Sequence, residues 1–145
     1  MASIIVPTST SGATWQTYTP TWTNLTKGNG TETSRYIDQN GLITWWYSLV
    51  FGSTSSMSTT PIVTLPVAAK SNTSRVPVPN VSLLDSGVQV YYGFMDFADN
   101  GTDRAVFYVW NFGATYGGGA SISASAPFTW GTNDAIRFQV SYEKA

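Results

Sequence analysis

Apolar and polar positions alternate along the chain in short runs that are separated by turn residues. The clearest run is 42–51 (LITWWYSLVF). Successive side chains of a β-strand point to opposite sides of the sheet, so one side of this run is predicted to lie in the core. Its members are Ile43, Trp45, Tyr47, Leu49 and Phe51. The opposite side mixes apolar residues with Thr and Ser, and we expect Trp46 and Val50 there to contact a partner subunit.

Further strands are predicted at 88–94, 104–110 and 136–142, and weaker ones at 32–37, 62–67, 75–83 and 121–125. In run 88–94 we expect Val88, Val90, Tyr92 and Phe94 to point inward. Run 136–142 should be half-solvated, because its apolar residues alternate with polar ones. Segments 52–60 and 115–120 are rich in Ser and Gly and are expected to be loops. The sequence Asp99-Asn100-Gly101 indicates a hairpin after run 88–94.

These runs predict an all-β protein. Gly, Pro and β-branched residues interrupt every window that is long enough for a helix. About eight short strands with turns between them favour an antiparallel β-sandwich of jelly-roll type. Pro77 and Pro79 cannot donate ladder hydrogen bonds, so their strand is expected to be an edge strand or irregular.

We assign the sandwich domain to residues 15–145 and an N-terminal arm to residues 1–14. The arm is dominated by Ser, Thr and Gly, with Ile4, Ile5 and Val6 as its apolar spot. Two interpretations stay open for it: an arm that contacts a neighbouring subunit through these three residues, or a frayed terminus.

Charged residues are sparse and aromatic residues are plentiful. Charged side chains make up 10% of the chain, against about 25% in ordinary soluble domains, whereas aromatic residues make up 14%. Cores of protein interfaces are depleted in charge and enriched in aromatic residues, so we expect an oligomer. The net charge of −1 offers no basic patch for nucleic acid, and no apolar run approaches the length of a membrane span.

The chain offers few groups for catalysis. It contains no His and no Cys, which removes the usual general base and every thiol nucleophile. The stretch DFADNGTD groups Asp96, Asp99 and Asp103 but lacks the order of a calcium loop, and a hairpin turn explains it better. Gly117-Gly118-Gly119 precedes no helix and so is not predicted to hold phosphate. We predict no catalytic residue, cofactor or metal site.

Aromatic residues are the better candidates for a binding site. Tyr18, Trp22 and Trp130 lie in segments rich in Thr, Asn and Gly, where a docking surface or a platform for stacking glycans is one interpretation. The other is ordinary core or interface packing, which is where Trp in all-β proteins is usually found.

Residues 15–69 resemble the small β-sandwich domains of structural proteins from tailed bacteriophages, notably those that infect actinobacteria. The shared pattern is an aromatic-x-Pro-x-Trp motif, a Gly-Asn-Gly turn, an aromatic after Arg, a long strand, a Gly-Ser-Thr loop and a strand that ends in Leu-Pro. It is carried by Tyr18, Pro20, Trp22, Gly28-Asn29-Gly30, Arg35-Tyr36, Gly41, Gly52-Ser53-Thr54 and Leu65-Pro66. The resemblance implies a homotrimeric protein of the virion surface without enzymatic activity.

Two roles are compatible with this resemblance. Because the chain begins at Met1 and shows no shaft-forming segment before the domain, we expect a capsid decoration protein that binds the major capsid protein and stabilises the shell. The alternative is the tip of a tail-fibre or minor tail protein that recognises a host surface glycan.

Overall fold

The structure is a computed structural model that describes residues 13–70, 78–97, 103–113 and 117–145. The described residues form ten antiparallel strands and no helix, which confirms the all-β expectation. The strands are β1 (Gln16–Thr17), β2 (Trp22–Thr26), β3 (Thr31–Gln39), β4 (Leu42–Val50), β5 (Ser56–Thr64), β6 (Val78–Asp85), β7 (Gln89–Phe97), β8 (Arg104–Asn111), β9 (Gly118–Ser121) and β10 (Ala135–Glu143). Of the N-terminal arm, only residues 13 and 14 are described, so Ile4, Ile5 and Val6 lie outside the described residues.

All ten strands belong to one curled sheet. They pair in the order β1-β3-β4-β10-β6-β7-β8-β5-β2, and β9 adds to β8 outside this path. The strands β1 and β2 therefore stand at opposite ends of the order, although only residues 18–21 separate them along the chain. Since an extended residue spans about 3.3–3.6 Å, this link can join the two ends only if the sheet curls like a half-barrel.

Hydrogen bonds attach the link to both ends of the sheet. The Tyr18 amide donates to the Ser34 carbonyl of β3 at 3.3 Å. The Tyr18 hydroxyl lies 2.7 Å from Thr64 Oγ1 of β5 and donates to the Leu65 carbonyl at 3.0 Å. The Thr64 amide in turn donates to the Thr21 carbonyl at 3.0 Å. The link is therefore anchored on both sides of the gap that it crosses.

Aromatic rings from four strands meet inside the curl. The Trp22 ring lies 5.4 Å from the Phe107 ring of β8 and 5.5 Å from the Tyr47 ring of β4. Tyr47 stacks on Phe138 of β10 at 4.9 Å, and Phe107 lies 5.3 Å from the same Phe138. Ring pairs at such distances stabilise a core beyond the area that they bury. The two halves of the sheet are thus held face to face.

A polar chain runs through this aromatic core. Trp22 Nε1 donates to the Tyr47 hydroxyl at 3.0 Å, and that hydroxyl donates to Glu32 Oε1 at 2.7 Å. Glu32 Oε2 lies 3.4 Å from Lys27 Nζ. Burial, together with the bond to the Glu32 carboxylate, raises the pKa of Tyr47 far above its ordinary value. The Trp22 indole, the Tyr47 hydroxyl and the Glu32 carboxylate therefore all have polar partners, as burial requires.

Two sequence predictions for strand faces are confirmed. The predicted core face of β4 is buried throughout, whereas its other face is exposed at Leu42 and half-buried along the rest. Strand β10 buries Ile136, Phe138, Val140 and Tyr142 and exposes the polar residues between them. In both strands the large apolar residues recur at every second position, so the buried faces could be read from the sequence.

The prediction for run 88–94 was wrong by one residue. Val88, Val90 and Tyr92 are exposed, and the residues that turn inward on β7 are Tyr91, Gly93, Met95 and Phe97. A Cβ atom at Gly93 would collide with the Tyr108 carbonyl of β8, so this inward position admits only glycine. Because Gly93 has no side chain, the inward face of β7 lacks an apolar residue at this position. The alternation that would identify this face is therefore interrupted in the sequence.

Two strand boundaries differ from the predictions, and the strand that contains Pro79 tests a third expectation. Strand β5 already begins at Ser56, inside a predicted loop, and β9 occupies 118–121, of which 118–120 were also expected to be loop. Strand β6, which contains Pro79, lies between β10 and β7 and is not an edge, but its pairing with β7 shifts register between Val78 and Val81. The irregular alternative for this strand is therefore confirmed. The Asp99-Asn100-Gly101 turn lies outside the described residues.

The polar chain predicts the effect of removing one hydroxyl. In Tyr47→Phe the Trp22 N–H and the Glu32 carboxylate lose a buried partner, so the free energy of unfolding should fall by about 2–4 kcal/mol. Urea unfolding measures it. Tyr92→Phe is the matched control, because Tyr92 is 67% exposed, and its effect should stay within about 0.5 kcal/mol. Equal effects of the two substitutions would contradict a structural role for the hydrogen bonds of Tyr47.

Buried tyrosines also predict loss of stability in alkali. Burial raises the pKa of Tyr18, Tyr47 and Tyr142. The unfolded chain loses these protons near the ordinary tyrosine pKa of about 10, whereas the folded chain keeps them. Their contribution is therefore complete below about pH 10 and declines as the pH rises further. The urea midpoint should fall between pH 9 and pH 11.5, by less in Tyr47→Phe than in the original chain; parallel curves would contradict this assignment.

Candidate functional site on the outer face of the sheet

The three aromatic residues predicted as a docking or glycan platform pack against the core. Tyr18 belongs to the closing link, and Trp22 lies between Tyr47 and Phe107. The Trp130 ring stacks 5.1 Å from the Phe51 ring, and its Nε1 donates to the Ser123 carbonyl at 3.0 Å. Their ring faces are therefore not a shared open platform.

A buried carboxylate explains why Trp130 turns inward. Asp134 follows it in a turn and is only 4% exposed. Its Oδ2 accepts a bond from the Gly131 amide at 2.6 Å, and its Oδ1 accepts one from the Ser86 amide at 2.9 Å. The Phe51 amide donates to the Asp134 carbonyl at 2.8 Å. This set of bonds closes the turn over the end of β4 and brings Trp130 onto Phe51.

The opposite, convex side of the sheet, called here the outer face, carries the residues that remain accessible. Register places Thr33, Ser48, Arg137, Ser82 and Tyr92 side by side on five adjacent strands. A parallel row, two residues away, contains Val50, Ala135, Leu84 and Val90. Trp46 and Val50, the predicted subunit contacts, both lie on this face and are half-buried.

Four aromatic residues of β7 and β8 form the first feature of the outer face. This aromatic patch consists of Tyr92, Phe94, Tyr108 and Trp110. The Phe94 ring lies 5.2 Å from the Tyr108 ring and 4.9 Å from the Trp110 ring. Tyr92 is 67% exposed and Trp110 is 36% exposed. The patch is uncharged, and it stands on paired strands that hold its rings in place.

Glycine in β9 leaves room for the patch. A Cβ atom at Gly119 would lie 2.5 Å from Cζ of the Phe94 ring. The ring therefore extends over the backbone of β9, where a side chain would displace it. Phe112, just after β8, is 80% exposed and lies beside Gly117.

The second feature is a Trp–Arg stack, which consists of Trp15, Arg35 and Trp46. The guanidinium carbon of Arg35 lies 5.0 Å from the centroid of the Trp15 ring and 5.2 Å from that of the Trp46 ring. Both distances fall within the range of cation–π attraction. Trp15 is 48% exposed. Thr17 of β1 pairs with Arg35, and Gln139 of β10 pairs with Trp46, so polar side chains flank the stack.

The acidic residues of the DFADNGTD stretch lie in different surroundings within the described part of the chain. No group of three or more potential metal-binding side chains occurs there. Asp96 is buried on β7, Asp103 is exposed with Oδ1 3.3 Å from Arg104 Nε, and Asp99 lies outside the described residues. Since the described residues form no helix, they offer no helical membrane span.

A shallow depression lies near the closing link. It has a volume of about 160 Å³ and is lined by Thr21, Thr23, Ile62, Val63, Thr64, Asp103 and Arg104. Pockets for small organic ligands usually measure about 300–1,000 Å³. This depression is too small for such a ligand, which leaves the outer face as the better candidate for binding.

Comparisons with known proteins add no relative. No protein-family model, no curated protein and no solved structure matches the chain. Function is therefore inferred from the chemistry of the outer face and from the resemblance of residues 15–69.

Most residues of the outer face were not identified from the sequence as a site. Trp46 and Val50 were, but the aromatic patch, Arg35 and Arg137 were not. One signal was present: run 104–110 is apolar on both of its faces after Arg104, which a strand with one solvated face does not need. The stacking of Arg35 had no such signal, because Trp15 and Trp46 are brought to it by the pairing of β1, β3 and β4.

The close approach of Gly93 to the Tyr108 carbonyl predicts the effect of adding a side chain at position 93. Gly93→Ala places a methyl group against the Tyr108 carbonyl, and overpacking of this kind costs about 1–3 kcal/mol. We expect a matching decrease in the free energy of unfolding and altered near-ultraviolet circular dichroism from the patch. Gly118→Ala is the control, since a Cβ atom there meets nothing within 4 Å. An unchanged Gly93→Ala protein would contradict the close approach of β7 and β8.

Proposed function

We propose that this chain is a non-enzymatic structural protein of a tailed-phage virion. In the preferred role it is a capsid decoration protein that forms homotrimers on the head surface and binds the major capsid protein. The observation that carries the proposal is the aromatic patch. An uncharged group of aromatic residues on paired strands, with Tyr92 and Trp110 exposed, has the composition of a protein interface core. The resemblance of residues 15–69 to phage structural domains supplies the virion context.

The row beside the patch is a suitable subunit contact. Val50, Leu84 and Val90 line up across the outer face around the small residue Ala135, and Val90 is 43% exposed. We therefore keep Val50 in the proposed trimer contact and join it to the aromatic patch. Arg35 lies over the Trp46 ring, so we assign Trp46 to a different surface, as argued below.

The two halves of the curled sheet face each other, which bears on the type of fold. One half of the sheet contains β4 and β10, and the other contains β2 and β8. Aromatic rings from the two halves contact each other. We interpret this curled sheet as a β-sandwich of jelly-roll type.

A second role is favoured by a different observation. The Trp–Arg stack offers exposed ring surface beside polar side chains, a combination suited to recognition of a host surface glycan. In this role the chain belongs to the tip of a tail-fibre or minor tail protein, and its place is likewise the virion surface.

Oligomeric state tests the decoration role. We expect the purified chain to sediment as a trimer and the double variant Tyr92→Ser, Trp110→Ser to sediment as a folded monomer with an unchanged far-ultraviolet circular dichroism spectrum. Leu42→Ser is the matched control, because Leu42 is 48% exposed at the far end of β4 and should leave the trimer intact. A chain that stays monomeric up to high concentration would contradict the homotrimer, and a trimeric double variant would contradict the aromatic patch as its contact.

A further inference from the structure

We propose that the Trp–Arg stack, together with Arg137, binds a polysaccharide that carries carboxylate groups. This inference rests on the second proposed role, recognition of a surface glycan, and names the chemical class of that glycan. The binding surface crosses β1, β3, β4 and β10 on the outer face.

The guanidinium of Arg35 suits an anionic ligand. Its carbon lies over two indole rings, and cation–π attraction to the rings uses none of its five N–H donors. Among the described residues, Arg35 has no hydrogen-bond or ion-pair partner. A carboxylate matches the fork of these donors and can accept two hydrogen bonds at once.

A second arginine lies on the other side of β4. Arg137 of β10 pairs with Ser48, while Arg35 of β3 pairs with Trp46, two residues earlier on β4. From the spacing of strands and residues in a sheet, the two Cα atoms are about 12 Å apart. Arg137 is exposed, and within the described residues it takes part in no side-chain hydrogen bond or ion pair; its neighbours on both sides, Ser48 and Ser82, are short and uncharged.

The carboxylates of the outer face do not neutralise these two arginines. Glu143, on the same face of β10, lies 2.6 Å from Lys70 and six residues from Arg137. Asp96 is buried on β7, four residues beyond Tyr92. The centre of the face therefore carries two positive charges between aromatic rings, and its complement is a ligand with negative charges.

The sparse charge favours a polysaccharide over a nucleic acid. Affinity for nucleic acid grows with the number of phosphates that a protein neutralises, and only two arginines are available here in a chain of net charge −1. An acidic polysaccharide adds apolar sugar faces that stack on Trp15, and hydroxyls that bond to Thr17 and Gln139. Both of these polar residues pair directly with members of the stack.

A subunit contact at the same place is less favourable. Covering Arg35 with an apolar partner would bury a charge that has no acidic group beside it, which is costly. We therefore assign the aromatic patch to a protein partner and the Trp–Arg stack to a glycan.

Affinity electrophoresis tests the inference with polygalacturonate in the gel. We expect polygalacturonate to retard the chain, and its fully methyl-esterified form, which has the same sugar backbone without charge, to retard it far less. Arg35→Gln and Arg137→Gln should each weaken binding by about tenfold or more, the loss expected for one charge-assisted hydrogen bond. Arg35→Lys should also bind more weakly than the original chain, because lysine has no planar fork of donors.

Arg104→Gln is the matched control. Arg104 is an exposed arginine on the same sheet, but it pairs with Asp103 at 3.3 Å, away from the stack. We expect its substitution to leave retardation unchanged, and all variants to keep the original melting temperature.

Three outcomes would overturn the proposal. They are absence of retardation by polygalacturonate, equal retardation by its methyl-esterified form, and equally strong binding to single-stranded oligo(dT), which would indicate a general polyanion site. Sedimentation of Arg35→Gln separates this result from the decoration role. We expect its mass to equal that of the original chain, so loss of glycan binding and loss of assembly are distinguishable.

Discussion

The link between β1 and β2 is the constraint on which the rest of the structure depends. Residues 18–21 join the two ends of a long sheet, and Tyr18 bonds to β3 on one side and to β5 on the other. A flat sheet with this strand order could not be closed by so short a segment. Curling places one face of every central strand against the aromatic core, so the opposite face becomes the surface that is available for binding.

The interior shows how a core this aromatic accommodates polar groups. The Trp22 indole, the Tyr47 hydroxyl and the Glu32 carboxylate are bonded in series, and Trp45 Nε1 donates separately to Ser34 Oγ at 2.9 Å. The polar atoms of these rings are satisfied within the core, by one another or by nearby side chains. Because these bonds connect strands from both halves of the sheet, they also select one way of packing the halves together.

Charge is used differently at the rim of the sheet and on its outer face. At the rim, cations are paired: Lys144 Nζ lies 2.7 Å from Asp38 Oδ2 and Lys70 Nζ lies 2.6 Å from Glu143 Oε1. On the outer face, Arg35 lies against indole rings instead. In a chain with so few charged residues, this contrast is the basis for proposing an anionic ligand at Arg35, and the uncharged aromatic patch differs from both surfaces.

The sequence by itself determined that the protein is all-β and which faces of β4 and β10 are buried, because the large apolar side chains of each buried face recur at every second residue. It also indicated, through Trp46 and Val50, that one side of β4 is not ordinary solvent-facing surface. The face of β7 was decided by the approach of Gly93 to the Tyr108 carbonyl, a contact between two strands. Likewise, Tyr18, Trp22 and Trp130 look like surface aromatics in polar segments, but the closing link and the Asp134 turn direct them inward. The Trp–Arg stack and the aromatic patch exist only once strand pairing has brought distant residues together, and local pattern carries no information about that pairing.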